Sequence, residues 1–142
     1  SITSRGIDLL QKDIHDTSIT SFRYGSNKMG HIFVSWLHPF KEHRFVIIGT
    51  KGMLHFEDSL KNKPLIFYNK KAEFINSVPS PFSGDKEKIQ YENSMPLTNE
   101  LKYFIKNLRN TKIDKANGDS ACDVIKILER ATLSLNKIKK EI

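Results

Sequence analysis

The first two-thirds of the chain shows the period-two alternation of β-strands, and only the last third shows the spacing of amphipathic helices. Strand patterns cover residues 17–24, 29–37, 44–48, 53–56, 65–68 and 88–91. Strands first and helices last, joined by hairpin-type links, predict an α+β domain. We expect one mainly antiparallel β-sheet with the two C-terminal helices packed on one face.

Two helices are predicted near the C-terminus. Thr98 can cap the first, and Ser120 with Asp123 forms a capping box for the second. The apolar residues that these helices should bury are Leu101, Phe104, Ile105 and Leu108 in the first, and Val124, Ile125, Leu128, Ala131 and Leu135 in the second. Between the two, residues 110–118 are predicted to form a polar connection. Residues 77–84 hold two prolines and are predicted to be a surface loop.

The strand at residues 29–37 is apolar on both of its faces. Its apolar side chains are Phe33 and Leu37 on one face, and Ile32, Val34 and Trp36 on the other. A strand of this kind is covered on both sides. We expect helices on one face and a second copy of the chain on the other, with residues 44–48 and 65–68 adding to the same uncovered face. This predicts a homodimer through the open sheet face.

The 142 residues fit a single domain, residues 1–142, and carry a net charge of +7. Such a charge is compatible with nucleic acid, a membrane surface or an anionic substrate as partner. The lysines are scattered, however, and often stand beside acidic residues, as in residues 86–88. The densest cluster, residues 137–140, suits the C-terminal end of a helix. We therefore predict neither nucleic acid nor a membrane as partner.

The chain has one cysteine, Cys122, so no disulfide can form within it. No apolar run is long enough to cross a bilayer, and no signal-peptide pattern is present at the start. The first residue is Ser1 rather than Met. We therefore expect a cytoplasmic domain cut from a longer chain.

The sequence offers little for catalysis. The nearest approach to a phosphate-binding loop, residues 49–52, lies between two predicted strands and not before a helix, so we predict no cofactor-binding residue. The five histidines do not show metal-ligand spacing, and no metal site is predicted. Ser35 and Cys122 lack a nucleophile motif, and no catalytic residue is assigned. His15 and Asp16 are neighbours that should point to opposite strand faces, so the pair is interpreted as a polar strand start.

Residues 36–41 combine an aromatic ring, an imidazole and an ammonium group at one strand end and its loop. Such groups can stack on a sugar ring or meet a phosphate or carboxylate. The candidate substrate-binding residues are Trp36, His38 and Lys41. The alternative is an aromatic core residue followed by an ordinary loop.

Two longer segments resemble a known family. Residues 30–39 place Ser-Trp-x-x-Pro at a strand end, and residues 46–58 run through Gly-Thr-x-Gly towards two acidic residues. Further motifs are Pro-Leu-x-x-Glu within residues 95–101, Asn-Gly-Asp at residues 117–119 and Leu-Glu-Arg-Ala at residues 128–131. In this order they resemble the C-terminal domain of the glucose–fructose oxidoreductase, inositol dehydrogenase and rhizopine-catabolism family (Gfo/Idh/MocA).

The resemblance covers residues 14–136 and is nearest to members that act on nucleotide sugars. It implies a two-domain parent, an NAD- or NADP-dependent sugar dehydrogenase whose N-terminal Rossmann domain binds the cofactor. This chain would supply a wall of the substrate pocket and the subunit interface. The family's Glu-Lys-Pro and Asp-x-Gly-x-His motifs are missing from the sequence. We therefore expect the chain to be inactive alone.

A rival function from another class is a non-enzymatic, basic β-sheet module that binds nucleic acid or a small anionic ligand. Such a surface requires basic and aromatic residues interleaved on one sheet face. Arg23 beside Phe22 and Tyr24, and Arg44 beside Phe45, are the candidates. Neighbours in a strand point to opposite faces, which disfavours this function.

Overall fold

The computed structural model describes residues 1–92, 94–109 and 113–138. These residues form strands β1 (Ile2–Ile7), β2 (Thr17–Tyr24), β3 (Lys28–Ser35), β4 (Arg44–Gly49), β5 (Gly52–Glu57), β6 (Leu65–Ile75) and β7 (Val78–Ile89), followed by helices α1 (Pro96–Asn107) and α2 (Gly118–Ile138). The chain divides into two compact units. The first contains β1–β3 and α2, and the second contains β4–β7. One boundary falls between Pro39 and Phe40, and the other falls within α1, after Ile105.

The predicted α+β class is confirmed, but the prediction of a single sheet is wrong. The strands form two antiparallel sheets, with the orders β1-β2-β3 and β4-β5-β6-β7. The link between β3 and β4, residues 36–43, is not a tight hairpin turn, and it contains Pro39. Strands joined in this way are not forced to pair with each other. Two further points stay predictions: that both helices pack on the same face of a sheet, and that the opposite face forms a dimer.

In the first unit, α2 lies along β1 and closes the outer edge of the sheet. Ser4 on β1 is fully buried. Its backbone N–H donates to Oγ of Ser134 on α2 at 2.9 Å, and its own hydroxyl lies 2.8 Å from that of Thr20 on β2. Gly6, two residues along, lies beside Leu135 of α2. Small residues on β1 therefore allow the helix to approach the strand closely.

The second unit is an antiparallel meander that begins with a two-residue hairpin turn. Gly49 pairs with Gly52, and the register continues through Phe45 opposite Phe56 to Arg44 opposite Glu57. A Cβ atom on Gly52 would lie 2.5 Å from the Phe67 ring and 2.9 Å from the carbonyl oxygen of Tyr68. The turn therefore requires glycine here because β6 approaches so closely.

The predicted loop at residues 77–84 is wrong, because most of these residues belong to β7. The strand pairs with β6 beyond a bulge near Tyr68, and the hairpin turns at Asn76 and Ser77, which both have positive φ. Pro79 and Pro81 are two residues apart, so their missing N–H groups turn to the same side. β7 is an edge strand, and we place that side on its outer edge, where proline is tolerated.

Both predicted helix starts are wrong by a few residues. α1 begins at Pro96 and not at Thr98, in agreement with the preference for proline in the first helical turn. α2 is capped by Asn117, whose Oδ1 accepts the N–H of Ser120 at 2.8 Å. Ser120 donates its hydroxyl to the carbonyl of Asn117 and is not the cap. The predicted connection at residues 110–118 lies partly outside the described residues.

Apolar side chains lie only partly covered in both units. Among the described residues no hydrophobic side chain is fully buried, although β5 and the first half of β6 are half-buried. The residues predicted to be buried by the first helix are exposed, as are Val124, Ile125 and Leu128 of α2. They are Leu101, Phe104 and Ile105 in α1 and Leu108 directly after it. Their predicted burial is wrong in the isolated chain. These residues leave apolar surface available to a partner.

Candidate functional site

Trp36 immediately follows β3 and points an almost uncovered ring into solvent. Its backbone N–H donates to the carbonyl of Asp16 at 2.8 Å, while its side chain is 88% exposed. The sequence placed this residue on an apolar strand face, but the strand ends at Ser35. A tryptophan fixed through its backbone and free at its ring can stack on a flat or sugar-like ligand.

The other two candidate residues stand on either side of the unit boundary. His38 belongs to the first unit, where its ring meets Phe33 edge-on with the centroids 6.4 Å apart. Lys41 belongs to the second unit and is exposed. The structure therefore describes Trp36 and His38 in one body and Lys41 in the other.

Asp16 organises the loop that supports Trp36. Its side chain is 7% exposed, and Oδ2 accepts the N–H groups of Leu9 at 2.7 Å and Leu10 at 2.8 Å. Its backbone donates to Ile7 and accepts from Trp36. Asp16 lies directly before β2, where the sequence predicts a polar strand start, and it also holds the β1–β2 loop and the end of β3 together. Sequence spacing does not reveal bonds that depend on loop folding.

Ser35 has a similar supporting role at the end of β3. Its hydroxyl lies 2.6 Å from that of Thr17 on β2 and accepts the N–H of Leu37 at 3.1 Å. A serine engaged in this way turns the chain after the strand. It therefore positions residues 36–38.

The second unit carries a network of charged side chains where β4 begins and β5 ends. Asp58 accepts Lys63 Nζ at 2.7 Å and lies 3.7 Å from Nδ1 of His43. The backbone N–H of His43 donates to Ser59 Oγ at 2.6 Å. Counting back from the turn at residues 50–51 places His43 opposite Asp58. The pair could therefore have been predicted from the hairpin register.

His55 and Glu57 form a second pair on β5. Nε2 of His55 lies 3.7 Å from Glu57 Oε2, which is too long for a hydrogen bond. This nitrogen is buried and has no hydrogen-bond partner among the residues that the structure describes. Glu57 also accepts the N–H of Ser59 at 3.3 Å. The carboxylates of the two pairs, Glu57 and Asp58, are consecutive residues at the end of β5.

The network lowers the pKa of both carboxyls. A hydrogen bond from Ser59 lowers the pKa of Glu57, and a hydrogen bond from Lys63 lowers the pKa of Asp58. Reciprocally, Asp58 raises the pKa of Lys63. The side chains of Asp58 and Lys63 are 38% and 32% exposed, so this pair is screened by solvent and contributes little to stability.

These shifts fix the sign of a pH dependence. A carboxyl whose pKa is lowered by folding stabilises the fold at neutral pH, and this contribution is lost as the pH falls through the lowered pKa. The contribution of Lys63 is present at neutral pH and lost as the pH rises through its raised pKa. We expect Lys63→Gln to weaken both the acid and the alkaline dependence of the free energy of unfolding. Denaturant titrations over a pH series measure this.

Lys61→Gln is the control, because it removes the same charge from an exposed lysine for which the structure gives no ion pair. An unchanged pH profile in Lys63→Gln would contradict a stabilising Asp58–Lys63 pair.

The described residues contain no group of three or more His, Cys, Asp or Glu side chains that could hold a metal ion. None of their helices is both long and apolar enough to span a bilayer. Comparison of the chain with family models, curated proteins and solved structures gave no match. The family resemblance therefore stays a prediction from the motifs.

Proposed function

We propose that this chain is the C-terminal domain of an NAD- or NADP-dependent sugar or nucleotide-sugar oxidoreductase, where it contributes a wall of the substrate pocket and a subunit interface. The observation that carries the proposal is the order and spacing of the motifs. Ser-Trp-x-x-Pro follows a strand, Gly-Thr-x-Gly forms the next hairpin turn, and acidic residues end the hairpin's second strand. The cofactor and the catalytic groups belong to the proposed Rossmann domain.

The proposed pocket wall uses the exposed end of β3. Trp36 offers an aromatic plane to one face of a sugar ring, and His38 offers an imidazole to a hydroxyl. Lys41 lies in the other unit and stays a separate candidate predicted from the sequence, outside this pocket wall. Asp16 and Ser35 are positioning residues, because they fix the backbone on which Trp36 and His38 stand.

The proposed subunit interface is the apolar face of the second sheet. One of its faces carries Phe45, Phe56, Leu65 and Ile89 in one row, and Ile47, Leu54 and Phe67 in the next. Apolar surface of this extent is rarely left open on a soluble monomer. A second copy laid face to face would cover it and give a homodimer.

One contact favours the alternative, a basic sheet module that binds nucleic acid or a small anion. Lys71 Nζ lies 5.1 Å from the centroid of the Phe82 ring across the β6–β7 hairpin. Basic and aromatic side chains in contact are typical of nucleic-acid-binding strands. Lys71 is also paired with Glu73 at 2.8 Å, however, which reduces its attraction for phosphate.

The single tryptophan allows a direct test. We expect a UDP-sugar to change Trp36 fluorescence on titration, because the ring is exposed and would stack on the ligand. His38→Ala should weaken this response, whereas His31→Ala, a matched change on β3, should leave it unchanged. Calorimetry should show no binding of NADH or NADPH, since the sequence contains no glycine-rich phosphate-binding motif leading into a helix.

Binding of either dinucleotide by the chain alone would contradict the proposal that the Rossmann domain, and not this chain, binds the cofactor. A fluorescence response to a single-stranded oligonucleotide with none to UDP-sugars would favour the alternative.

A further inference from the structure

Strand β4 is an unprotected edge. It pairs with β5 alone among the described strands, and all of its residues are exposed. Phe45 and Ile48 are 63% and 75% exposed. Four of its residues in succession are apolar, and its register with β5 has no bulge. An exposed, regular and apolar edge is a template for pairing with another strand.

Two other edges are protected by devices that β4 lacks. β7 carries Pro79 and Pro81 and a bulge in its pairing with β6. β1 is closed by Ser134 of α2, which takes the outward N–H of Ser4. Natural sheets use prolines, bulges and covering elements to prevent edge pairing. β4 has none of these devices, and neither has β3, the remaining edge strand. What distinguishes β4 is its run of four consecutive apolar residues, all of them exposed.

The two-residue turn determines which backbone groups of β4 face outward. The residues flanking such a turn, Gly49 and Gly52, form a hydrogen-bonded pair, and bonded pairs then alternate along the ladder. Ile47 and Phe45 therefore bond to β5. The N–H and C=O groups of Arg44, Val46 and Ile48 point away from the sheet and are available to another strand.

We propose that β4 pairs antiparallel with β4 of a second copy across a twofold axis at Val46, which joins the two four-stranded sheets into one continuous sheet. Val46 then lies opposite the partner's Val46, and Arg44 lies opposite the partner's Ile48. All of the outward groups are bonded in this register.

The pairing is self-complementary in its side chains as well. Phe45 lies opposite the partner's Ile47 in a non-bonded pair, where side chains approach most closely. The apolar rows of one sheet thus continue into the other. The one charged residue of β4, Arg44, meets the partner's Ile48, so no like charges are opposed.

A strand pair alone buries less area than a stable interface requires, so the contact is weak by itself. It does not depend on the proposed oxidoreductase function. It also differs from the face-to-face contact proposed above, because it uses the edge of the second sheet and not its face.

Crosslinking at the symmetry axis tests the register. In a Cys122→Ser background, Val46→Cys places two thiols on residues whose Cα atoms lie about 5.5 Å apart in a bonded pair. This separation is within the range of disulfides. We expect mild oxidation to shift the chain from monomer to dimer mass on a non-reducing gel.

Ile48→Cys in the same background is the matched control. Its own copy would lie about 14 Å away across the axis, beyond the reach of a disulfide. Crosslinking of both variants, or of neither, would overturn the register. A dimer that sediments as such but is not crosslinked at Val46→Cys would place the interface on the sheet face, which overturns the edge pairing and leaves the proposed function standing.

Circular dichroism checks that the cysteine variants fold. If Val46→Cys does not fold, hydrogen exchange of the unmodified chain tests the edge pairing instead. The amides of Arg44, Val46 and Ile48 should exchange more slowly as protein concentration rises, whereas an exchange rate independent of concentration would overturn the pairing.

Discussion

Asp16→Ala should lower the free energy of unfolding by about 2–3 kcal/mol, because it leaves two backbone donors of the β1–β2 loop without their acceptor. Asp16 Oδ2 accepts from both Leu9 and Leu10, and the side chain is almost fully buried. The two leucine side chains are exposed, so water can partly replace the lost acceptor. Because water partly replaces the acceptor, the expected loss in the free energy of unfolding is at the lower end of the range for two unpaired amides.

Asp16→Asn separates the contribution of the hydrogen-bond acceptor to stability from that of the negative charge. The amide oxygen can occupy the position of Oδ2 and keep both bonds, so we expect a loss of about 1 kcal/mol from weaker, uncharged hydrogen bonding. Denaturant unfolding followed by circular dichroism measures both variants. If Asp16→Ala and Asp16→Asn lost the same free energy of unfolding, the negative charge of Asp16 would matter and its hydrogen-bond geometry would not.

The same substitution links stability to the proposed pocket wall. The carbonyl of Asp16 fixes the backbone of Trp36, so loosening this loop should also loosen the segment after β3. Lid and binding segments are commonly the least stable parts of a fold. We therefore attribute to Asp16 a positioning role at the proposed site.

Local patterns in the sequence were sufficient to predict most of the strands. β2 has the predicted bounds, residues 17–24, because its apolar residues alternate between two well-defined turns. β4 and β5 differ from their predicted bounds only at the ends, since Gly49 and Gly52 mark the two sides of the hairpin turn. β1 was not predicted, because Thr3, Ser4 and Arg5 give it no apolar alternation.

The errors arise where pairing decides the structure. Pro79 and Pro81 predict a loop in isolation, but at an edge their missing N–H groups cost no ladder bonds. The separation into two sheets depends on which strands find partners, and no local pattern specifies that. Trp36 was placed at the end of a strand, yet only the structure shows its backbone bond to Asp16 and its exposed ring.

Gly6→Ala should destabilise the first unit by about 1–3 kcal/mol, because the added methyl group has no room. A Cβ atom at Gly6 would lie 2.8 Å from the carbonyl oxygen of Thr17, 2.7 Å from Cδ2 of His15 and 3.1 Å from a methyl carbon of Leu135. The side chains can shift, but the carbonyl belongs to the β2 backbone. Either β1 moves away from β2, or α2 moves away from the sheet.

Gly30→Ala is the matched control and should have the opposite sign. Gly30 also lies in a strand of the first unit, β3, and a Cβ atom there would meet nothing within 4 Å. Replacing it restricts the unfolded chain without strain in the folded one, which stabilises by about 0.4–1 kcal/mol. Thermal and denaturant unfolding of the two variants give the comparison. If Gly6→Ala were as stable as Gly30→Ala, α2 could not lie against β1 as closely as the structure places it, and the covered edge that distinguishes β1 from β4 would be lost.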